Sequence, residues 1–131
     1  MSKALVIIPT YNELENIPIV LERVIGLPIT FDVLFVDDNS PDGSAALIKQ
    51  YIKKFKSRVF LESKNKKEGL GKAYTHGFKW ALNRDYDCIF EMDADLSHDP
   101  LDLVKMYKEL ESSNCDVVVG SRYINGINVV N

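Results

Sequence analysis

The chain has 131 residues, of which 46% are hydrophobic and 27% charged, a composition typical of a globular domain with one core. Its formal net charge of −3 argues against general nucleic-acid binding. No apolar stretch approaches the roughly 20 residues of a membrane-spanning helix. The first residues run directly into a strand-like segment, so we do not expect a signal peptide. Cys88 and Cys115 belong to no paired metal-ligand motif, and we expect both to be reduced, as in a cytosolic protein.

Segments of strand type alternate along the chain with segments of helical periodicity. The strands are predicted at residues 4–8, 33–36, 58–61, 88–92 and 116–119. A first helix is predicted between Asn16, a possible cap, and Gly26, and a second follows the turn at residues 40–43. The third and fourth helices carry apolar residues at helical spacing: Leu70, Ala73, Tyr74, Gly77, Phe78, Ala81 and Leu82 in the third, and Leu103, Val104, Tyr107 and Leu110 in the fourth.

This alternation predicts an α/β fold, with a mostly parallel sheet and helices on both faces. Ligands of such sheets bind beyond the carboxyl ends of the strands. Each unusual polar cluster of the chain follows a predicted strand; the clusters are residues 9–13, 37–42, 93–99 and 120–123. The agreement between these positions predicts a ligand site at one edge of the sheet.

The sequence Asp93-Ala94-Asp95 ends the fourth predicted strand and is the candidate metal site. Two carboxylates so close together repel each other, and a cation offsets that repulsion. Mg²⁺ and Mn²⁺ prefer oxygen ligands, and Mg²⁺ commonly binds one or two carboxylates together with substrate phosphates. The alternative is that Asp95 only starts a turn or caps a helix.

Two further clusters offer groups for a nucleotide. Asp37-Asp38 could accept hydrogen bonds from a base or a ribose, or could instead form the turn that leads into the second helix. In the first cluster, Tyr11 could stack on a base and Glu13 could accept a hydrogen bond, although a plain strand-to-helix loop is the alternative. Arg122 offers a planar fork suited to phosphate, or is simply a surface arginine.

The residues as a set resemble family 2 glycosyltransferases of the GT-A fold, and most of all the polyprenol (dolichol) monophosphate mannose synthases. The matching segments occur in family order across nearly the whole chain. They are Val6-Ile7-Ile8-Pro9-Thr10-Tyr11-Asn12-Glu13, Val36-Asp37-Asp38-Asn39-Ser40-Pro41-Asp42-Gly43, Gly69-Leu70-Gly71-Lys72-Ala73-Tyr74, Glu91-Met92-Asp93-Ala94-Asp95-Leu96-Ser97-His98 and Gly120-Ser121-Arg122-Tyr123. The DxD motif is shared widely in family 2, whereas the second and fourth segments are more specific to the mannose synthases.

The resemblance implies a role for each matching residue. The residues implied to hold the guanosine of GDP-mannose are Pro9, Tyr11, Glu13, Val36 and Asp38. Asp93 and Asp95 would be the catalytic pair that holds Mg²⁺ or Mn²⁺ and the sugar diphosphate. Ala94 and Ser97 would line the donor pocket, and Arg122 would face phosphate.

The implied reaction moves mannose from GDP-mannose to a polyprenyl phosphate with inversion and with a divalent metal. A lipid acceptor implies a cytoplasmic protein in peripheral contact with the cytoplasmic face of a membrane. Family members exceed 200 residues, so we expect residues 1–131 to be one GT-A domain cut short on its C-terminal side, the Rossmann-like nucleotide-binding half. A family 2 transferase for another nucleotide sugar, such as UDP-glucose, and a donor-binding fragment without turnover are the open alternatives.

Overall fold

The structure is a computed structural model that describes residues 3–113, 117–120 and 127–130. Strands and helices alternate in it, as the sequence predicts. In chain order the elements are β1 (Ala4–Thr10), α1 (Ile17–Ile25), β2 (Phe31–Asp37), α2 (Ser44–Lys54), β3 (Val59–Ser63), α3 (Leu70–Leu82), β4 (Cys88–Glu91), α4 (Leu101–Ser112), β5 (Val117–Gly120) and β6 (Ile127–Val130).

The first four strands form one parallel sheet in the order β3-β2-β1-β4. The chain moves outward from β1 to β2 and β3, and then crosses back to add β4 on the other side of β1. This reversal places a topological switch point between the carboxyl ends of β1 and β4, where open α/β sheets bind ligands. β1 and β2 are central strands, and all seven residues of each are buried.

Helices cover both faces of this sheet, because successive strand residues point to opposite sides. On one face, Val6 and Ile8 belong to a core cluster with apolar residues of α1, α2 and α4. On the other face, Leu5 and Ile7 belong to a second cluster, to which α3 contributes Ala73 and Ala81. The α/β fold with helices on both faces is therefore confirmed.

The last predicted strand differs from the expectation. β5 does not join the parallel sheet but pairs antiparallel with β6 in a separate two-stranded sheet, in the register Val117↔Val130. The sequence reading did not include β6. A partner strand that lies close along the chain forms an antiparallel pair without a crossover connection, and this local pairing replaced the predicted long-range one.

Two local expectations, for Asn16 and for the apolar stripe of α3, were also wrong. Asn16 stands at the start of α1, but its side chain makes no capping hydrogen bond and donates instead to Oε2 of Glu13, at 2.9 Å. Leu70 and Leu82 are 54% and 76% exposed, so the apolar stripe of α3 is shorter than its sequence suggests. Cys88 is a free, partly buried thiol, and Cys115 lies outside the described residues. Within the described part of the chain, no helix combines the length and apolar character needed to cross a membrane.

Candidate active site

A cleft of about 250 Å³ opens at the carboxyl ends of the strands, beside the switch point. Three of the four predicted polar clusters contribute to it, together with the start of α3. The residues that line it are Pro9, Thr10, Tyr11 and Glu13 after β1, Asp38 after β2, Lys67, Gly69, Leu70 and Ala73 at α3, and Asp93, Ala94 and Asp95 after β4.

Asp37 joins the ends of β1 and β2 below this cleft. Its buried carboxylate accepts a hydrogen bond from Oγ1 of Thr10 at 2.8 Å and two from Ser40, whose backbone N–H and hydroxyl lie at 2.9 and 2.7 Å. A carboxylate that accepts three such bonds is already satisfied by the protein. Asp37 therefore has the turn-forming role that was the alternative to ligand binding.

Asp38 faces the loop that precedes α3. One carboxylate oxygen, Oδ2, accepts hydrogen bonds from the backbone N–H groups of Glu68 and Gly69, both at 3.1 Å. The other oxygen, Oδ1, lies 3.3 Å from Nζ of Lys64, and the two side chains are each only 6% exposed. Neither Oδ1 nor Nζ has a hydrogen bond of good geometry, so this buried pair is held by charge rather than by directed bonds. Lys64 also lies 3.2 Å from Oε1 of Glu68.

Tyr11 stands at the other wall of the cleft, and a second lysine of the same loop covers it. Nζ of Lys67 lies 4.2 Å from the centre of the Tyr11 ring, a favourable cation–π distance. A base that stacks on this face of the ring would take the place of the ammonium group. Tyr11 and Asp38, two of the five residues expected from the sequence to hold the guanosine, thus both contact residues 64–69 in this structure.

Asp93 is fixed at both its side chain and its backbone. The hydroxyl of Tyr74, on α3, donates to Oδ1 of Asp93 at 2.9 Å. Burial, followed by this hydrogen bond, raises the pKa of Tyr74 well above its ordinary value, so the phenol is protonated and donates at neutral pH. The backbone N–H of Asp93 donates to Nδ1 of His98 at 3.2 Å.

Asp95 is the more exposed of the two carboxylates. Its Oδ1 accepts a hydrogen bond from the backbone N–H of Ser97 at 3.0 Å. Hydrogen bonding by the side chain and backbone of Ser97 lowers the pKa of Asp95, which is therefore ionised at neutral pH. Leu96, between these residues, has a φ of 66°, a left-handed conformation that is uncommon for leucine.

The donor set suits a hard divalent cation that also binds a diphosphate. Asp93 and Asp95 offer carboxylate oxygens, the ligand type that Mg²⁺ and Mn²⁺ prefer. Among residues 3–113, no group of three or more His, Cys, Asp or Glu side chains could hold a metal by itself. Two carboxylates leave coordination positions for phosphate oxygens and water, as is usual for Mg²⁺.

The remaining residues that the sequence predicts for the site differ in their position relative to the cleft. Ala94 is 3% exposed and lines the cleft between the two aspartates. Val36 is fully buried under the sheet surface in the α3-side core, and its side chain does not reach the cleft. Ser97 is exposed and contacts Asp95, whereas Arg122 lies outside the described residues.

Sequence reasoning missed four residues of this region. They are Lys64 and Lys67 in the loop before α3, Tyr74, whose spacing marks it only as a core position of α3, and His98 after β4. The glycine-rich segment at residues 69–71, next to several lysines, was the available signal. The periodicity of α3 could not show that the hydroxyl of Tyr74 reaches across to β4.

The parallel sheet, the switch-point cleft and its carboxylates define an α/β protein of the GT-A glycosyltransferase class. The family model for "Glycosyl transferase family 2" matches residues 5–131, so the chain belongs to that family. It is 43% identical over 129 residues to a polyprenol monophosphomannose synthase of Mycolicibacterium smegmatis, an alignment that covers 98% of this chain and 48% of the relative. It is 42% identical to an undecaprenyl-phosphate mannosyltransferase of Micrococcus luteus, covering 98% of this chain and 52% of the relative.

Solved structures agree with this fold. A mannosyltransferase of Pyrobaculum calidifontis, solved with GDP-Man and Mn²⁺, superposes with a TM-score of 0.77 at 21% identity, covering 91% of this chain and 35% of that one. Glucosyl-3-phosphoglycerate synthase of Mycobacterium tuberculosis, solved with Mn²⁺, UDP and phosphoglyceric acid, gives 0.70 at 18% identity, covering 95% and 44%. The chain spans about half the length of the curated relatives it matches.

Proposed function

We propose that this chain is the donor-binding half of an enzyme that transfers mannose from GDP-mannose to a polyprenyl phosphate. The observation that supports this most is the meeting of Tyr11, Asp38, Asp93 and Asp95 in one cleft at the switch point. The sugar and the lipid phosphate are proposed by analogy with the relatives at 42 and 43% identity, an undecaprenyl-phosphate mannosyltransferase and a polyprenol monophosphomannose synthase.

The donor would lie across the cleft, with its base toward β1 and β2 and its diphosphate toward β4. Tyr11 would stack on the guanine after Lys67 leaves the ring face, and Asp38, Pro9 and Glu13 would contact the base or ribose. Any contribution from Val36 would come through its backbone, because its side chain is buried.

Asp93 and Asp95 would hold Mg²⁺ or Mn²⁺ together with the diphosphate. When bound, this cation would neutralise charge on the leaving GDP. The two carboxylates have different partners: Asp93 is held by Tyr74 and His98, whereas Asp95 is exposed and accepts a hydrogen bond from its near neighbour Ser97. We infer that Asp93 fixes the position of the cation and that Asp95 adapts to it.

The acceptor phosphate is already anionic near pH 7, so the reaction needs little help from a general base. One phosphate oxygen forms the bond to the anomeric carbon while the bond to GDP breaks and GDP leaves with the electron pair. Attack from the face opposite GDP inverts the configuration at that carbon. Catalysis then rests on alignment of the two substrates and on stabilisation of the leaving group. A polyprenyl acceptor requires contact with a membrane surface, which we propose to be peripheral and cytoplasmic.

Calorimetric titration of the chain with GDP-mannose and with UDP-glucose, each with Mn²⁺ and with EDTA, tests this function. Metal-dependent binding that selects GDP-mannose is the expected result. Selective binding of UDP-glucose would keep the transferase class and contradict the mannosyl donor. Absence of binding by either nucleotide sugar would contradict the assignment of a donor site to this half. Transfer of mannose to a polyprenyl phosphate by the same chain would separate a complete enzyme from a donor-binding fragment.

A further inference from the structure

The hydrogen bond between Tyr74 and Asp93 joins a helix on one face of the sheet to the end of strand β4. Tyr74 is half-buried and does not line the cleft, so it would not touch the donor in this arrangement. Its hydroxyl nevertheless ends 2.9 Å from Oδ1 of Asp93. We infer that Tyr74 is a positioning residue, which orients the carboxylate of Asp93 for the divalent cation. This inference rests on the proposed function, in which Asp93 is a metal ligand.

The position of the Tyr74 hydroxyl is set by the close packing of α3 on the sheet. Ala73, beside Tyr74, is 1% exposed, and the Tyr74 ring packs against the cluster that includes Leu5, Ile7 and Val36. One turn further along α3, Gly77 lies against Ile7 without a side chain between helix and strand. The ring therefore has little freedom to move away from Asp93, and its hydroxyl is a fixed donor.

A fixed donor has a specific effect on a carboxylate ligand. A free aspartate rotates about its terminal torsion and presents either oxygen to a cation. Once Oδ1 accepts the hydrogen bond from the Tyr74 hydroxyl, the rotation is restricted and the second oxygen is the one offered to the metal. The backbone of Asp93 is held in addition by His98. Partners of this kind around metal ligands typically change metal affinity by about 10–100-fold when they are removed.

The chain contains a matched control for this contact. The hydroxyl of Tyr86 donates to Oδ2 of Asp32 at 2.7 Å, which is the same chemistry between a half-buried tyrosine and an aspartate. Asp32 lies near the start of β2, where it pairs with Leu5, and neither Tyr86 nor Asp32 lines the cleft. Loss of the Tyr86 hydroxyl should therefore affect the fold in a comparable way without affecting a cation at Asp93.

The test compares Tyr74→Phe with Tyr86→Phe by calorimetric titration of GDP, once with Mn²⁺ and once with EDTA. We expect Tyr74→Phe to weaken GDP binding by about tenfold in Mn²⁺ and to leave the affinity in EDTA unchanged. Tyr86→Phe should match wild type in both conditions. A loss of the same size in Mn²⁺ and EDTA, or wild-type affinity in Mn²⁺, would overturn the inference and leave the proposed function standing. A wild-type chain that binds GDP equally with Mn²⁺ and with EDTA would overturn the metal site itself.

Asp93→Asn completes the test as a double-mutant cycle. If Tyr74 acts through Asp93, Tyr74→Phe should have no further effect on Mn²⁺-dependent binding when residue 93 is already asparagine. Additive losses would show that the tyrosine acts through packing alone, and they would overturn the inference. The cycle distinguishes positioning from packing even if Tyr74→Phe lowers the thermal stability of the chain. The same packing change is then present whether residue 93 is aspartate or asparagine.

Discussion

Gly77 on α3 lies directly against Ile7 on β1, so closely that no other residue would fit without displacement. A Cβ atom at position 77 would lie 2.7 Å from Cγ2 and 3.0 Å from Cδ1 of Ile7. Ile7 is completely buried in the core cluster to which α3 contributes, so its side chain can yield only by displacing its neighbours. This contact sets the distance between α3 and β1, and with it the reach of Tyr74 toward Asp93.

Gly77→Ala is therefore expected to destabilise the protein, although alanine is the better helix former. Overpacking a core typically costs about 1–3 kcal/mol, and the gain in helix propensity offsets about 1 kcal/mol of this. We expect a net loss of about 1 kcal/mol in the free energy of unfolding, measured by urea denaturation. Gly71→Ala is the control, because a Cβ at position 71 meets no atom within 4 Å. Equal stabilities of the two variants would contradict the close packing of α3.

Asp37 is predicted to be a structural residue whose loss unfolds the edge of the site. Asp37→Ala leaves the hydroxyls of Thr10 and Ser40 and one backbone N–H without their acceptor, and unsatisfied groups of this kind cost about 1–3 kcal/mol each when buried. We expect a loss of about 3 kcal/mol in urea denaturation. Asp102→Ala, which removes an exposed carboxylate 3.8 Å from Lys105, should cost less than about 1 kcal/mol. A similar small loss at both positions would refute this role for Asp37.

Asp37 and Asp38 illustrate what the sequence could and could not predict. Strand periodicity placed both residues correctly at the carboxyl edge of the sheet, as it did Asp93 and Asp95. How each of the two adjacent carboxylates is bonded within the protein depends on other residues: Thr10 and Ser40 for Asp37, and Lys64 and the loop before α3 for Asp38. Ser40 is only three residues from Asp37, but the other partners are distant along the chain and come together only in the fold. The same limit hid Tyr74, whose helical spacing marks it as a core residue.

Val36 and the fifth strand show a second limit. Val36 is next to Asp37 in sequence, but strand alternation turns its side chain into the α3-side core. Adjacency to a site residue therefore did not give it access to the cleft. β5 has the apolar composition of a parallel strand, yet it pairs antiparallel with β6 outside the main sheet.

The buried pair of Lys64 and Asp38 is predicted to be strongly coupled. Lys64→Met leaves the Asp38 carboxylate, 4% exposed as a residue, without its cation, and Asp38→Asn leaves the Lys64 ammonium largely buried. Removal of one partner of a buried ion pair typically costs about 3–5 kcal/mol. The cost should be smaller here, because Lys64 keeps Glu68 as a partner and Asp38 keeps two backbone N–H groups. We expect about 2 kcal/mol for each single variant in urea denaturation. The double variant should cost less than the sum, and strict additivity would show that the pair is not coupled.

The bond between Tyr86 and Asp32 predicts a loss of stability at alkaline pH. Burial, and then this hydrogen bond, raises the pKa of Tyr86 above its ordinary value. The folded state therefore keeps the phenol proton after the unfolded chain has lost it near pH ~10, so this contribution is complete below that pH and declines above it. The free energy of unfolding of Tyr86→Phe should decrease less between about pH 9 and 11 than that of the wild type. Urea titrations at pH steps of about half a unit measure this difference. An identical decrease in both proteins would exclude a raised pKa.

Asp95→Asn is predicted to separate metal binding from folding. Asparagine keeps an oxygen that can accept the Ser97 N–H bond, so the turn after β4 should be retained. The substitution removes the negative charge that the Asp95 carboxylate would offer to the cation. Because Asp95 is exposed, we expect the thermal midpoint to change little. The Mn²⁺-dependent affinity for GDP should fall by about tenfold or more, since a hard cation depends on charged oxygen ligands.

Asp99→Asn is the control for this substitution, because Asp99 is also exposed and accepts a backbone N–H two residues ahead, from Leu101 at 3.0 Å, but does not line the cleft. Both variants should bind GDP equally in EDTA, where no cation contributes. Equal affinities of the two variants in Mn²⁺ would remove Asp95 from the metal site. A loss at Asp95 that persists in EDTA would instead mean that its carboxylate contacts the nucleotide directly.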